Sequence, residues 1–106
     1  MPDPELLRIS TRRNDGAVHL TVSGELDAST AEMFATSIQM ACDSSPETLD
    51  LDLADLSFCD SSGLRKFVRL AETCASQGTK LCITGAQPIV RRIFDIAGLG
   101  HLLAAD

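Results

Sequence analysis

The stretch Leu49-Asp50-Leu51-Asp52-Leu53 constrains the fold more than any other part of this 106-residue chain. Strict alternation of leucine and aspartate is the period of a β-strand with one buried face and one wet face. In a doubly wound α/β sheet the parallel strands are covered on both sides and read as continuous apolar runs. Covering this strand twice would bury two carboxylates, which is costly without partners. Helices are therefore expected on one face only, with Asp50 and Asp52 exposed on the other. The same argument speaks against a dinucleotide-binding fold, and the chain has no Gly-x-Gly-x-x-Gly.

The remaining elements follow from period and punctuation. Leu7 and Ile9 alternate with Arg8 and Ser10 in a short first strand. Arg13-Asn14-Asp15-Gly16 is a hairpin turn. Val18, Leu20 and Val22 then alternate with His19, Thr21 and Ser23 in a second strand, which Gly24-Glu25-Leu26-Asp27 leaves. Ser29 and Glu32 have the spacing of a capping box. Ala31, Phe34, Ile38 and Ala41 give a first helix, ended by Asp43-Ser44-Ser45-Pro46. Beyond the third strand, a loop over residues 54–59 leads to Asp60.

A second helix begins at Ser61 with the stripe Leu64, Phe67, Val68, Ala71 and Cys74, and stops at Gly78. Residues 80–84 are a fourth strand. Pro88 opens a third helix with the stripe Val90, Ile93, Phe94 and Ala97, capped at Gly98. Residues 101–103 add a final turn or edge strand. The order β-β-α-β-α-β-α predicts one α/β domain over residues 6–106. Its sheet is mixed, with four to five strands and helices packed on one face. Residues 1–5 are expected to be a flexible N-terminus.

Composition narrows the partners. A net charge of −6 argues against direct nucleic-acid binding, which leans on a positive footprint. Met1-Pro2-Asp3-Pro4-Glu5 is unlike a secretory signal, and no apolar run is long enough to span a bilayer. A cytoplasmic protein with no membrane contact is expected. Cys42, Cys59, Cys74 and Cys82 form no Cys-x-x-Cys pair and sit in or beside apolar stretches. They are expected to be reduced, buried thiols, with no metal site and no cofactor.

The second and third strands flank a helix, so they are expected to run parallel and to deliver their following loops to one sheet edge. One loop carries Asp27 and the other carries Asp60 and Ser61. Asp60 suits the N-cap of the second helix. Ser61 and Ser62 fall in its first turn, where free amides and the helix dipole favour a phosphate. Aspartate and serine at these positions also suit a plain helix start.

Three motifs carry a resemblance. Asp55-Leu56-Ser57-Phe58-Cys59-Asp60-Ser61-Ser62-Gly63-Leu64 resembles the signature of STAS-domain anti-sigma factor antagonists. Gly24-Glu25-Leu26-Asp27 with Thr30-Ala31 is similar to that family's first motif, and Ile93-Phe94-Asp95-Ile96-Ala97-Gly98-Leu99 to its C-terminal one. The resemblance implies that Ser61 is phosphorylated by an anti-sigma factor with serine kinase activity. Asp27 and Asp60 are then the phosphosite aspartates, and Ser62 is the serine that is not the usual acceptor. It further implies partner switching: the dephosphorylated domain captures the anti-sigma factor and frees a sigma factor. Phosphorylation ends that capture and a serine phosphatase restores it. Departures from the family pattern are Cys59, in place of a common methionine, and Arg65 and Lys66 after Gly63-Leu64. With Arg69 these form a basic strip, read either as a solvated helix face or as a contact for an acidic partner.

Two other functions fit less well. Catalysis by Ser61 needs a base, and the only histidines, His19 and His101, are tied to it by no motif. There is no Gly-x-Ser-x-Gly elbow. A STAS accessory subunit binding the ATPase of a lipid-transport ABC system is the alternative, but the intact Asp60-Ser61-Ser62-Gly63 favours the kinase-linked group.

Overall fold

The computed structural model describes residues 6–104. The flexible N-terminus expected over residues 1–5, and the C-terminal end of the expected 6–106 domain, lie outside the described residues. The elements run β1 (Leu7–Asn14), β2 (Ala17–Leu26), α1 (Ala31–Cys42), β3 (Thr48–Cys59), α2 (Ser61–Gln77), β4 (Lys80–Thr84), α3 (Pro88–Ile96) and a short 3-10 turn, Gly100–Leu102. The four strands form one sheet in the order β1-β2-β3-β4. β1 and β2 are antiparallel, joined at Asp15-Gly16 with Asn14 opposite Ala17. β2, β3 and β4 are mutually parallel.

Alternation sorts the two faces as the sequence predicts. Val18, Leu20, Val22, Leu49, Leu51, Leu53 and Ile83 are buried beneath the helices. One phenylalanine from each helix seals that layer. The Phe34 and Phe67 ring centroids are 5.0 Å apart, and those of Phe67 and Phe94 are 5.1 Å apart. Such aromatic pairs contribute about 0.5–1.5 kcal/mol each beyond their buried area. On the opposite face Asp52 is exposed and accepts the Ala54 amide at 2.9 Å. Asp50 is half-buried and lies 3.0 Å from His19 Nδ1. One layer of helices and one polar face give a mixed α/β sheet of four strands.

Several expectations need correction. The loop at 54–59 is strand, because β3 continues to Cys59. The reason is register. The β3 partner runs 31 residues ahead of β2 at Thr21–Asp52, 32 ahead at Ser23–Asp55 and 33 ahead at Glu25–Phe58. β3 thus takes up one extra residue at each of two irregularities. Its inward residues become Leu53, Leu56 and Cys59, every third one, and the alternation that signals a strand disappears. The capping box is also absent. Helix α1 starts after Thr30, which makes no side-chain cap bond, and the Ser29 hydroxyl is held elsewhere. Leu70, rather than Val68 or Ala71, fills the α2 stripe, and Ala97 is exposed beyond α3. Gly78 does cap α2 in the left-handed region, with φ +76°.

Candidate functional site

Leu26 and Cys59 are register partners at the ends of β2 and β3. The Asp60 amide donates to the Leu26 carbonyl at 3.1 Å. Asp27 and Asp60 therefore leave the same sheet edge side by side, each the first residue beyond its strand. Cys59 is buried beneath this edge, and burial, reinforced by the Asp60 carboxylate, pushes its thiol up to about 12.

Asp60 is the N-cap of α2. Its extended backbone turns the chain, and one carboxylate oxygen accepts the amides of Ser62 at 2.9 Å and Gly63 at 3.2 Å. Its carbonyl accepts the Leu64 amide at 2.9 Å. Ser61 is the first helical residue and is exposed; Ser62 is half-buried. Gly63 lets the helix sit down on the strands. A β-carbon there would stand 2.6 Å from Leu26 Cγ and 2.9 Å from Cys59 Sγ. With both neighbours fully buried, the hydrogen of Gly63 is what allows Ser61 to sit this close to the sheet edge.

Asp27 builds a different turn. Its Oδ1 accepts from the Ser29 amide at 2.9 Å and the Ser29 hydroxyl at 2.7 Å. The Ser29 hydroxyl bond is the largest influence on the Asp27 carboxyl and holds it below its ordinary value; desolvation, the next largest, pulls the other way, and the Ser29 and Thr30 amides and the Thr30 hydroxyl add to the lowering. Thr30 lies under the turn: its Oγ1 accepts the Asp27 amide at 3.0 Å and donates to the Glu25 carbonyl at 3.0 Å. It is buried. Thr30 stands out in the sequence only as part of a motif, and its structural role under the turn carries no local signal. The Ser29 hydroxyl is thus spent on Asp27, which explains why no capping box forms.

The basic residues divide. Arg65 is exposed one turn after Ser61. Lys66 turns toward α1 and pairs with Glu32 Oε1 at 3.0 Å. Arg69 joins it along the crevice between α1 and α2. The predicted strip is therefore split: Arg65 stands with the Ser61 edge, and Lys66 faces the other helix. The histidines stand apart. His19 lies seven residues before the end of β2, roughly 23 Å of strand from the site, and is paired with Asp50. At that separation His19 cannot reach a serine hydroxyl at the 3 Å that base-assisted attack needs. His101 is in the 3-10 turn after α3.

All four cysteines are free. Cys42 and Cys74 meet between the ends of α1 and α2, and burial raises both thiols, Cys74 to about 12. Cys82 departs from the expected burial: it is half-exposed on the polar sheet face, opposite Asp50. Among the described residues no three His, Cys, Asp or Glu side chains gather in a way that could hold a metal ion. No helix among them is long and apolar enough to cross a membrane.

What this edge can do chemically is present an exposed hydroxyl at a helix N-terminus, on a sheet edge from which two aspartates also emerge. That suits a serine which accepts a phosphoryl group from a partner and keeps it in water. Comparison with known proteins agrees on the architecture. The family described as STAS domain matches residues 8–104. The anti-sigma-B factor antagonist of Staphylococcus epidermidis is 30% identical over 97 residues, 92% of this chain and 90% of that one. The anti-sigma F factor antagonist of Paenibacillus polymyxa is 30% identical over 98 residues, 92% of this chain and 84% of that one. The crystal structure of an anti-sigma factor antagonist from Mycobacterium paratuberculosis superposes with a TM-score of 0.86 at 26% identity, covering 100% of this chain and 92% of that one. With one-sided helices, Asp27 and Asp60 leaving adjacent strand ends, and a family match over nearly its whole length, the chain belongs to the STAS domain family.

Proposed function

We propose that this chain is an anti-sigma factor antagonist that works by partner switching, with Ser61 as its phosphorylation switch. In this reading it is a binding protein of the cytoplasm and not an enzyme. Dephosphorylated, it captures an anti-sigma factor with serine kinase activity and so frees a sigma factor. The kinase phosphorylates Ser61, the complex parts, and a serine phosphatase resets the cycle. The observation that carries this reading is the placement of Ser61: exposed, first in α2, beside Asp60 and next to the turn of Asp27. The names of relatives matching over nine-tenths of the chain support it.

Electrostatics indicate how such a switch works. A phosphoserine adds about −1.5 to −2 charges at neutral pH. The α2 N-terminus favours an anion by roughly 0.3–1 kcal/mol. Arg65, at i, i+4, adds about 0.2–0.5 kcal/mol. Asp27 and Asp60 oppose both, so the fold barely responds. At an interface the phosphate must be desolvated, which without a paired cation costs of order several kcal/mol. At about 1.4 kcal/mol per tenfold, affinity falls roughly a hundred- to several-thousand-fold. The modification acts by blocking a surface.

The test is phosphate mapping by mass spectrometry after incubation with the cognate anti-sigma kinase, with titrations of two variants. Ser61→Ala is expected to bind constitutively and Ser61→Asp weakly, with phosphate on Ser61 and none on Ser62. Equal binding by both variants with no phosphate on Ser61, or capture of an ABC ATPase in place of the kinase, rejects the proposal.

A further inference from the structure

Away from the Ser61 edge, helices α1 and α2 leave a groove of about 410 Å³ between them. That volume lies within the range of small-molecule sites, which pair an apolar lining with a few polar groups. The floor here is Ile38, Leu70 and Cys42, with Met40 as a wall. Along one rim stand Lys66 and Arg69. On a chain of net charge −6, two cations over an apolar trough reverse the local sign.

The ion pair at the rim is lopsided. The Lys66 side chain is 20% exposed, whereas its partner Glu32 is 85% exposed. The lysine stem packs into the helix interface and fixes the ammonium at the groove; the carboxylate reaches in from solvent. A pair of this kind contributes little to stability, so an incoming carboxylate can take the place of Glu32. Arg69 is exposed and has no ion-pair partner among the described residues. Its planar fork binds a carboxylate through two parallel hydrogen bonds.

We propose that the α1–α2 groove is a binding site for a small amphipathic carboxylate. The apolar body lies on Ile38 and Leu70, and the head group sits between Lys66 and Arg69 in place of Glu32. Lys66 is five residues beyond Ser61, roughly 7.5 Å along the helix axis, and it faces α1 where Ser61 faces solvent. The groove is therefore open in either phosphorylation state, and the site stands whether or not Ser61 is a switch.

Decanoate is a suitable probe, with decan-1-ol as the uncharged body and acetate as the bare head group. Titrated into the full ¹⁵N-labelled chain, decanoate is expected to shift amides of residues 35–42 and 66–73, with a dissociation constant below ~1 mM. Decan-1-ol and acetate are expected to bind about tenfold more weakly or worse. Arg69→Gln and Lys66→Gln each weaken decanoate about tenfold without changing thermal stability, and Glu32→Gln strengthens it. The proposal is overturned by decanoate and decan-1-ol binding equally, by unchanged affinity in both cation variants, by shifts confined to other parts of the chain, or by no shifts up to ~10 mM.

Discussion

Helices α1 and α2 both begin just beyond a parallel strand, and in both cases the first residue after the strand is an aspartate. The two entrances are nevertheless built differently. Asp60 points its carboxylate forward into the helix and binds the amides of Ser62 and Gly63. The helix starts at once, and its first residue, Ser61, is left on the surface. Asp27 turns its carboxylate onto Ser29 and closes a local loop. Helix α1 begins four residues later, at Ala31. At α2 the cap binds only two amides of the first turn and leaves a hydroxyl outermost. At α1 the carboxylate, two hydroxyls and the turn amides satisfy one another. The same residue type after the same kind of strand thus makes one open entrance and one closed one.

The largest effects should come from the packing beneath each entrance. Gly63→Ala places a methyl group against Leu26 and Cys59 and is expected to lose about 1–3 kcal/mol in urea unfolding. The converse change at α1, Ala31→Gly, should cost only ~0.5–1 kcal/mol. A neutral Gly63→Ala would mean that the α2 entrance is slack. Thr30→Val tests the closed side. It strands the Asp27 amide under the turn and is expected to cost about 1–3 kcal/mol; no loss would show that water replaces the hydroxyl.

Asp60→Ala removes a single cap and should cost ~0.5–2 kcal/mol, with amide hydrogen exchange followed by NMR reporting fraying at the start of α2 alone. If α1 responds equally, the two entrances are one unit and the contrast fails. The smallest effect is a titration. The Asp27 carboxyl is lowered from its ordinary 3.8, chiefly by the Ser29 hydroxyl. Stability from this source is present above the ordinary carboxyl value and is lost as pH falls through the lowered native one. NMR titration is expected to place the Asp27 midpoint below that of Ser29→Ala. Coincident midpoints would remove the hydroxyl from the account.

These contrasts also mark how far the sequence could be read. The α2 entrance was legible because its signals are local: Asp60 is a strong N-cap, the apolar stripe begins at Leu64, and Gly78 ends it. The one-sided sheet was legible from Asp50 and Asp52. The parallel pairing that brings Asp27 beside Asp60 followed from topology. The second half of β3 was not legible, since its two register shifts turn the inward spacing from two residues to three. Ser29 and Glu32 misled because a capping box is judged by spacing, while the competing acceptor, Asp27, wins through a turn that spacing does not encode. The contact of Gly63 with Leu26, 37 positions earlier in the chain, exists only once the strands are paired.

The bridge from Leu103 to Ile83, with the Ala104 amide on the Ile83 carbonyl at 2.8 Å, bears on the order in which the chain can complete itself during synthesis. The β1–β2 hairpin has its whole register within residues 7–24 and can form as soon as they emerge. The β4 margin must wait for residues 103–104. Until then the Ile83 carbonyl stays unmatched on that margin, an opening for pairing with a stranger. The nascent molecule is thus most vulnerable to self-association late, on the side away from the hairpin.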